Sequence, residues 1–100
     1  MTLSTHVLDT TTGRPAAGMA VLLDGEPAGR TDGDGRLRLT GGDQEGSHRL
    51  TFLTSDYFTA RGTSAFYPEV TVTFTVTSAA EHYHVPLLLS PFGYSTYRGS

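Results

Sequence analysis

Three histidines, an arginine that closes a glycine-rich turn and a serine at the chain end are the residues whose types and places suit proton transfer around a small polar substrate. His82 and His84 are one residue apart in "EHYHVPLLLS" (81–90), His6 lies in "TLSTHVLD" (2–9), Arg36 follows "TDGDG" (31–35), and Ser100 ends "STYRGS". An imidazole titrates at about 6.5, so at neutral pH it can take a proton from water or give one to a leaving nitrogen. A guanidinium offers a fork of donors to a planar anion or a developing oxyanion. Arg38 and Arg49 fit that description equally well by pattern, and a turn arginine or a terminal serine is most simply a surface residue.

Faces sharpen the choice. Side chains alternate across a strand, so His82, His84, Pro86 and Leu88 share one face of 81–90 while Tyr83, Val85, Leu87 and Leu89 form the core side. In the first strand Ser4, His6 and Leu8 oppose Leu3, Thr5 and Val7. Any one of these histidines taken singly is a solvated position on the outside of a sheet. Three of them beside Leu8, Pro86 and Leu88 make a partly apolar outward face, on which something docks. Pro86 is unusual there, since a strand proline lacks a ladder donor and prefers edges.

Two metal readings arise. His-x-His plus a third histidine has zinc-binding spacing, although Glu81 is the one acidic neighbour in evidence. "DGDG" (32–35) begins like a calcium loop but places Arg36 at its fifth position and Asp43 at its twelfth, where a glutamate is required. No Gly-x-Ser-x-Gly, phosphate loop or paired-carboxylate arrangement is present.

The elements that must carry these residues are short strands. "EVTVTFTVT" (69–77) alternates strictly, and comparable runs lie at 2–9, 18–24, 35–40, 47–54, 81–90 and 94–97. "TTGRP", "DGEPAG", "TDGDG", "TGGDQEG" and "SPFG" read as the turns between them. "SDYFTARGTSAF" (55–66) breaks the rhythm and predicts a short helix, capped by Ser55 or Asp56 and ended by Gly62. Seven or eight strands with one helical turn predict a single all-β domain over 1–100, an antiparallel sandwich.

Composition is consistent with this. The chain has 100 residues, 37% of them hydrophobic, with ten acids against seven basic residues and no cysteine. A net charge of -3 argues against a dedicated nucleic-acid binder. Without cysteine, neither disulfides nor thiolate chemistry are available. No apolar run approaches membrane-spanning length and no charged-then-apolar leader precedes Leu3, so cytoplasm is the expected compartment. All seven cations are arginine, which makes an arginine at a candidate site weak evidence of selection for a guanidinium.

"STHVLDTTTGRPA", "TDGDGR", "YPEV" and above all "EHYHVPLLLSPFGYSTYRGS" together resemble the transthyretin-related 5-hydroxyisourate hydrolase family over essentially the whole chain. The terminal Tyr-Arg-Gly-Ser resembles the enzymes; hormone-carrying transthyretins share Leu-Leu-Ser-Pro and Tyr-Ser-Thr but lack the histidine pair. The resemblance implies a transthyretin-like (prealbumin-like) sandwich of two four-stranded sheets with one short helix. It also implies a homotetramer, with the site at the dimer–dimer interface and the outward apolar face covered by another subunit. It carries over His6, Arg36, His84 and Ser100 as catalytic, with Arg36, Tyr97, Ser95 and His82 contacting substrate. The implied reaction is hydrolysis of 5-hydroxyisourate to 2-oxo-4-hydroxy-4-carboxy-5-ureidoimidazoline during urate breakdown to allantoin, with no cofactor or metal and no nucleic-acid or membrane partner. "VLLDGEPAGRTDGDG" is a shorter hairpin than is usual in the family, which points to trimming at a sheet edge away from the catalytic motifs. The alternatives are a non-catalytic transthyretin-like carrier of a small planar ligand, and a monomeric interaction module.

Overall fold

The strands stack as two sheets over one shared core. The structure is a computed structural model that describes residues 2–41 and 44–100; Asp43, the twelfth position of the calcium-loop reading, lies outside the described residues. In chain order the elements are β1 (Thr2–Asp9), β2 (Arg14–Pro15), β3 (Ala20–Leu23), β4 (Glu26–Arg30), β5 (Arg36–Thr40), β6 (Gly46–Phe52), α1 (Thr54–Thr59), β7 (Val70–Val76), β8 (His82–Ser90) and β9 (Gly93–Thr96). One sheet runs β2-β1-β8-β9, with β5 also paired to β1, and the other runs β4-β3-β6-β7. β2 pairs with Leu8 and Asp9 while β5 pairs with Thr2 to His6, so the two share one edge of β1 and the sheet is at most four strands wide at any level.

One pairing departs from an all-antiparallel sandwich: β1 and β8 are parallel, with Thr2 opposite His82 and Asp9 opposite Leu89. Period two is the same in parallel and antiparallel strands, so alternation is blind to this. Two strands were absent from the turn reading. "EPAGR" is an edge strand of the second sheet, where Pro27 is tolerated because one side of the strand needs no donor. The turn from β3 into β4 is the two-residue Asp24-Gly25, at φ of 50° and 85°, the tight left-handed geometry of a type I′ hairpin. This short hairpin is the edge of the second sheet, while His6 and His84 belong to the first.

The core sides of the strands are as the alternation predicts. Leu3, Val7, Leu50, Phe52, Val70, Val72, Tyr83, Leu87 and Leu89 are buried between the sheets, which is the main stabilising term. Polar residues on that side are satisfied. Thr5 donates to the Val85 carbonyl at 2.6 Å, and Asp9 accepts from Tyr57 Oη at 3.0 Å and from the Thr11 amide at 2.9 Å. Burial, and then the Asp9 carboxylate, push the Tyr57 phenol up to about 12, so it stays a donor that ties α1 to the first sheet. The helix begins at Thr54 after Leu53 with no side-chain cap, so neither Ser55 nor Asp56 caps it; Gly62 follows its end at φ 68°.

Candidate active site

Register turns the outward faces of β5, β1 and β8 into rows of polar side chains. Thr40, Thr2 and His82 lie across one row, Arg38, Ser4 and His84 across the next, and Arg36, His6 and Pro86 across the third. His6, Arg36 and His84, which are remote in sequence, are thus brought to adjacent positions on one sheet face. Leu8 and Leu88 form the following row and Ser95 continues it on β9.

Arg36 is placed by its turn. The Asp32 carboxylate accepts the amides of Asp34 and Arg36, both at 2.9 Å, and the Asp32 amide donates to the Arg36 carbonyl at 2.9 Å. The Asp32 side chain therefore closes the turn. The Arg36 amide bond, then weaker contributions including the charges of Arg36 and His6, hold the Asp32 carboxyl below its usual range despite the opposing effect of desolvation. Gly35 presses the turn onto β1: its φ is 73°, and a Cβ there would sit 2.5 Å from the Val7 carbonyl oxygen. Only glycine meets both conditions, and the next residue then starts β5 opposite His6.

His84 is held from two sides. Its Nδ1 lies 2.7 Å from Ser4 Oγ, and its carbonyl accepts the Gly99 amide at 2.9 Å. A Cβ on Gly99 would run into the His84 ring and come within 3.2 Å of Pro86 Cγ, so the chain end approaches this closely because residue 99 has no side chain. Ser100 follows Gly99 directly at the surface. Burial first, and then the charges of Arg36, His6 and His82, hold the His84 imidazole below the ordinary histidine value. At neutral pH it is an uncharged ring with Nδ1 engaged and Nε2 available. His6 is half-buried beside it.

Pro86 is buried in the middle of the sheet rather than at an edge, and local geometry explains why it is tolerated. Within a strand the N–H and C=O of one residue point the same way, and the Pro86 carbonyl accepts from Thr96 Oγ1 at 2.7 Å. Its nitrogen therefore faces the side where β9 has ended at Thr96 and the chain leaves before returning at Gly99. No ladder donor is required there.

A cleft of about 240 Å³ opens over these rows, lined by Ser4, Asp32, Arg36, Arg38 and His84 among others. A second, of about 320 Å³, lies on the far side of β8, where Tyr97 and Arg98 face Phe74 and Tyr83, and His84 borders both. Tyr97 thus lines the second cleft, and Ser95 pairs with Leu88, two rows from His84. His82 is exposed, with Nδ1 2.6 Å from Thr2 Oγ1 and Nε2 2.9 Å from Ser4 Oγ. Among the described residues no three His, Asp or Glu side chains converge as a metal site, and the zinc spacing is not realised as one; Glu81 instead meets Arg98 at 3.4 Å.

Two of the contacting residues escape a reading by residue type. Ser4 was legible as an outward neighbour of His6 but not as a partner of two imidazoles, because that depends on the parallel register. Asp32 is visible in "TDGDGR", yet its role as the anchor of Arg36 emerges only from its hydrogen bonds.

Fold and face together define a transthyretin-like sandwich with acid–base groups on its outward sheet. The chain belongs to the HIUase/Transthyretin family, whose model matches residues 3–99. It is 46% identical over 112 residues to 5-hydroxyisourate hydrolase of Caulobacter vibrioides, covering 98% of this chain and 97% of that protein. The solved structure of Klebsiella pneumoniae 5-hydroxyisourate hydrolase superposes with a TM-score of 0.89 at 37% identity, covering all of both chains. Sea bream transthyretin in complex with thyroxine superposes with a TM-score of 0.86 at 33% identity, covering 97% of this chain and 93% of that one.

Proposed function

We propose that this protein is a hydrolase that opens the six-membered ring of 5-hydroxyisourate, giving 2-oxo-4-hydroxy-4-carboxy-5-ureidoimidazoline. The observation that carries the reading is the juxtaposition of His84, His6 and Arg36 on one sheet face, in a chain matched end to end by hydrolases of that name. Because a thyroxine-binding transthyretin shares the fold, the fold alone does not choose between hydrolase and carrier. The relatives at 42–46% identity bearing the hydrolase name favour the enzyme.

The chemistry follows from the state of each group. A water held at His84 Nε2 gives up a proton to that nitrogen as its oxygen adds to the ring carbonyl carbon. The carbonyl π pair moves to oxygen, and the guanidinium of Arg36, whose backbone is held by Asp32, stabilises that oxyanion. When the tetrahedral species collapses, the C–N bond breaks, and the departing nitrogen takes a proton from an imidazolium. His6 and His84 divide these duties, and Ser100, following Gly99 against the His84 ring, adds a hydroxyl and its α-carboxylate at the edge of the site. Tyr97 and Ser95 complete the contacts on the side of the site nearer β9.

The same reading takes the assembly to be a homotetramer in the cytoplasm, acting within urate degradation. Leu8 and Leu88 on the outward face support it, since a second copy would cover them. The test is direct: 5-hydroxyisourate is generated with urate oxidase and its ultraviolet decay followed with and without the protein. Acceleration is expected, and decay at the spontaneous rate would overturn the assignment. A sizing column on the same sample should give four subunits; a monomer would return the chain to the interaction-module reading.

A further inference from the structure

Among the described residues Ser4 is the one side chain hydrogen-bonded to both members of the histidine pair. Its Oγ lies 2.7 Å from His84 Nδ1 and 2.9 Å from His82 Nε2, and His82 Nδ1 lies 2.6 Å from Thr2 Oγ1. The four groups form an unbroken chain, His84–Ser4–His82–Thr2, from the half-buried His84 ring to the exposed start of β1.

A hydroxyl has one hydrogen to donate. Between two neutral imidazoles, Ser4 can donate to one nitrogen, and the other nitrogen must then donate to Ser4. Only two polarities of the chain satisfy every member. In one, His84 Nδ1–H donates to Ser4, Ser4 donates to His82 Nε2, and His82 Nδ1–H donates to Thr2. In the other, all three bonds are reversed and His84 carries its hydrogen on Nε2. The cleft chooses between them. Nε2 is the ring nitrogen left over after Ser4 is satisfied, and His84 shares the cleft with Arg36 and Arg38, whose guanidiniums are donors without acceptors. A lone pair on Nε2 suits those neighbours, whereas an N–H does not.

We infer that Ser4 is a positioning residue for the hydrolysis: through the Ser4–His82–Thr2 chain it fixes His84 in the Nδ1–H tautomer, leaving the Nε2 lone pair as the base, and carries the displaced proton outward to His82. The step balances. As water gives a proton to Nε2, the Nδ1 proton passes to Ser4 Oγ, the Ser4 proton passes to His82 Nε2, and His82 holds the positive charge away from Arg36. The reverse sequence returns the proton when the leaving nitrogen needs it. His82 then serves as a proton reservoir acting through Ser4, in place of a substrate contact.

The inference rests on the hydrolase reading for its kinetic consequence but not for its geometric one, so two measurements are used. The first needs no substrate: ¹⁵N shifts of the histidine rings at neutral pH, by long-range correlation, in wild type and Ser4→Ala. Wild type should show His84 with Nδ1 protonated and Nε2 bare, and Ser4→Ala should show the Nε2–H form populated. A wild-type His84 in the Nε2–H tautomer overturns the inference whatever the activity. The second is kinetic. A wrong tautomer disables a histidine base even when geometry is intact, so Ser4→Ala should lower kcat about ten-fold or more with KM changed less than about two-fold, and Ser4→Thr should restore it. His82→Gln, exposed and outside the core, should lower kcat several-fold with KM unchanged, and decides the matter if Ser4→Ala does not fold. Wild-type kcat in both Ser4→Ala and His82→Gln overturns the inference. Failure of the wild type itself to accelerate decay would instead break the hydrolase reading and leave the tautomer to the ¹⁵N result.

Discussion

His84 and His48 are the same residue type in opposite states, and their surroundings account for the difference. His48 faces the core side of β6 with Leu50 and Phe52, buried beside Phe74 at a ring-centroid distance of 6.2 Å. Both of its nitrogens meet acceptors: Nδ1 lies 2.6 Å from Asp24 Oδ2 and Nε2 lies 2.5 Å from the Gln44 carbonyl. Both acceptors are served only when the ring carries two hydrogens, so the site favours the imidazolium. The Asp24 bond first, and then the Gln44 carbonyl, raise its pKa above 6.5 against the effect of burial. Asp24 is pulled the other way: partial burial raises its carboxyl, but the His48 bond, the Arg49 amide at 2.9 Å and the charges of both residues outweigh that, and it sits below 3.8. The pair clamps the β3–β4 turn to β6. His84 meets one hydroxyl, and its own burial, then the charge of Arg36, favour the neutral ring. A histidine with both nitrogens matched to acceptors is structural, and one with a nitrogen left over is available for chemistry.

Breaking the second kind of histidine should cost rate. His84→Ala is expected to lose at least about 100-fold in kcat, the usual scale of a lost general base, with the circular-dichroism spectrum retained. Arg36→Ala should lose a comparable amount if it holds the oxyanion. Next in size is Gly99→Ala, whose new Cβ must displace the His84 ring or the chain end; a loss of about ten-fold in kcat with little change in melting temperature is expected, and unchanged kinetics would remove the chain end from the site.

Breaking the first kind should cost stability and leave rate alone. His48→Ala strands the Gln44 carbonyl and the Asp24 carboxylate, and should destabilise by about 1–3 kcal/mol in a denaturant titration while kcat of the folded variant stays near wild type. A large loss of kcat in folded His48→Ala would end the division between the two histidines.

The smallest effects are in pH. For His48 the folded pKa is raised, so its contribution is fully present below 6.5 and is lost as pH rises through the higher folded value. For Asp24 the folded pKa is lowered, so its contribution is present above 3.8 and lost as pH falls through the lower folded value. The clamp is therefore strongest between those limits, and the destabilisation by His48→Ala should be greater at pH 6 than at pH 9. His84 has the opposite sign: protonating it in the fold is disfavoured, and kcat should fall on the acid side with an apparent pKa below 6.5.

The sequence was legible where information is local. Alternation placed Ser4, His6 and Leu8, and His82, His84 and Leu88, on outward faces, and placed Leu87 and Leu89 in the core, because a side chain's face depends only on its own strand. The parallel β1–β8 register, which sets Ser4 against His84, pairs residues 80 apart in sequence. β4 escaped because "EPAGR" has neither alternation nor β-branched residues and pairs along a single edge. His48 is less legible, although "SHRLTF" sets it on the face of Leu50 and Phe52. A polar residue on an apolar strand face was the available signal, but its partner Asp24 lies across the sheet. The assignment of His6, Arg36, His84 and Ser100 came from resemblance, since composition and spacing alone reached an outward histidine face and no reaction.

The contrast between the two histidines is tested most directly by an NMR titration of the imidazole Cε1 protons between pH 4 and pH 9, assigned with His84→Ala and His48→Ala. His48 should show a midpoint above 6.5 and His84 a midpoint below it. A His84 that titrates at or above the His48 value would contradict that contrast.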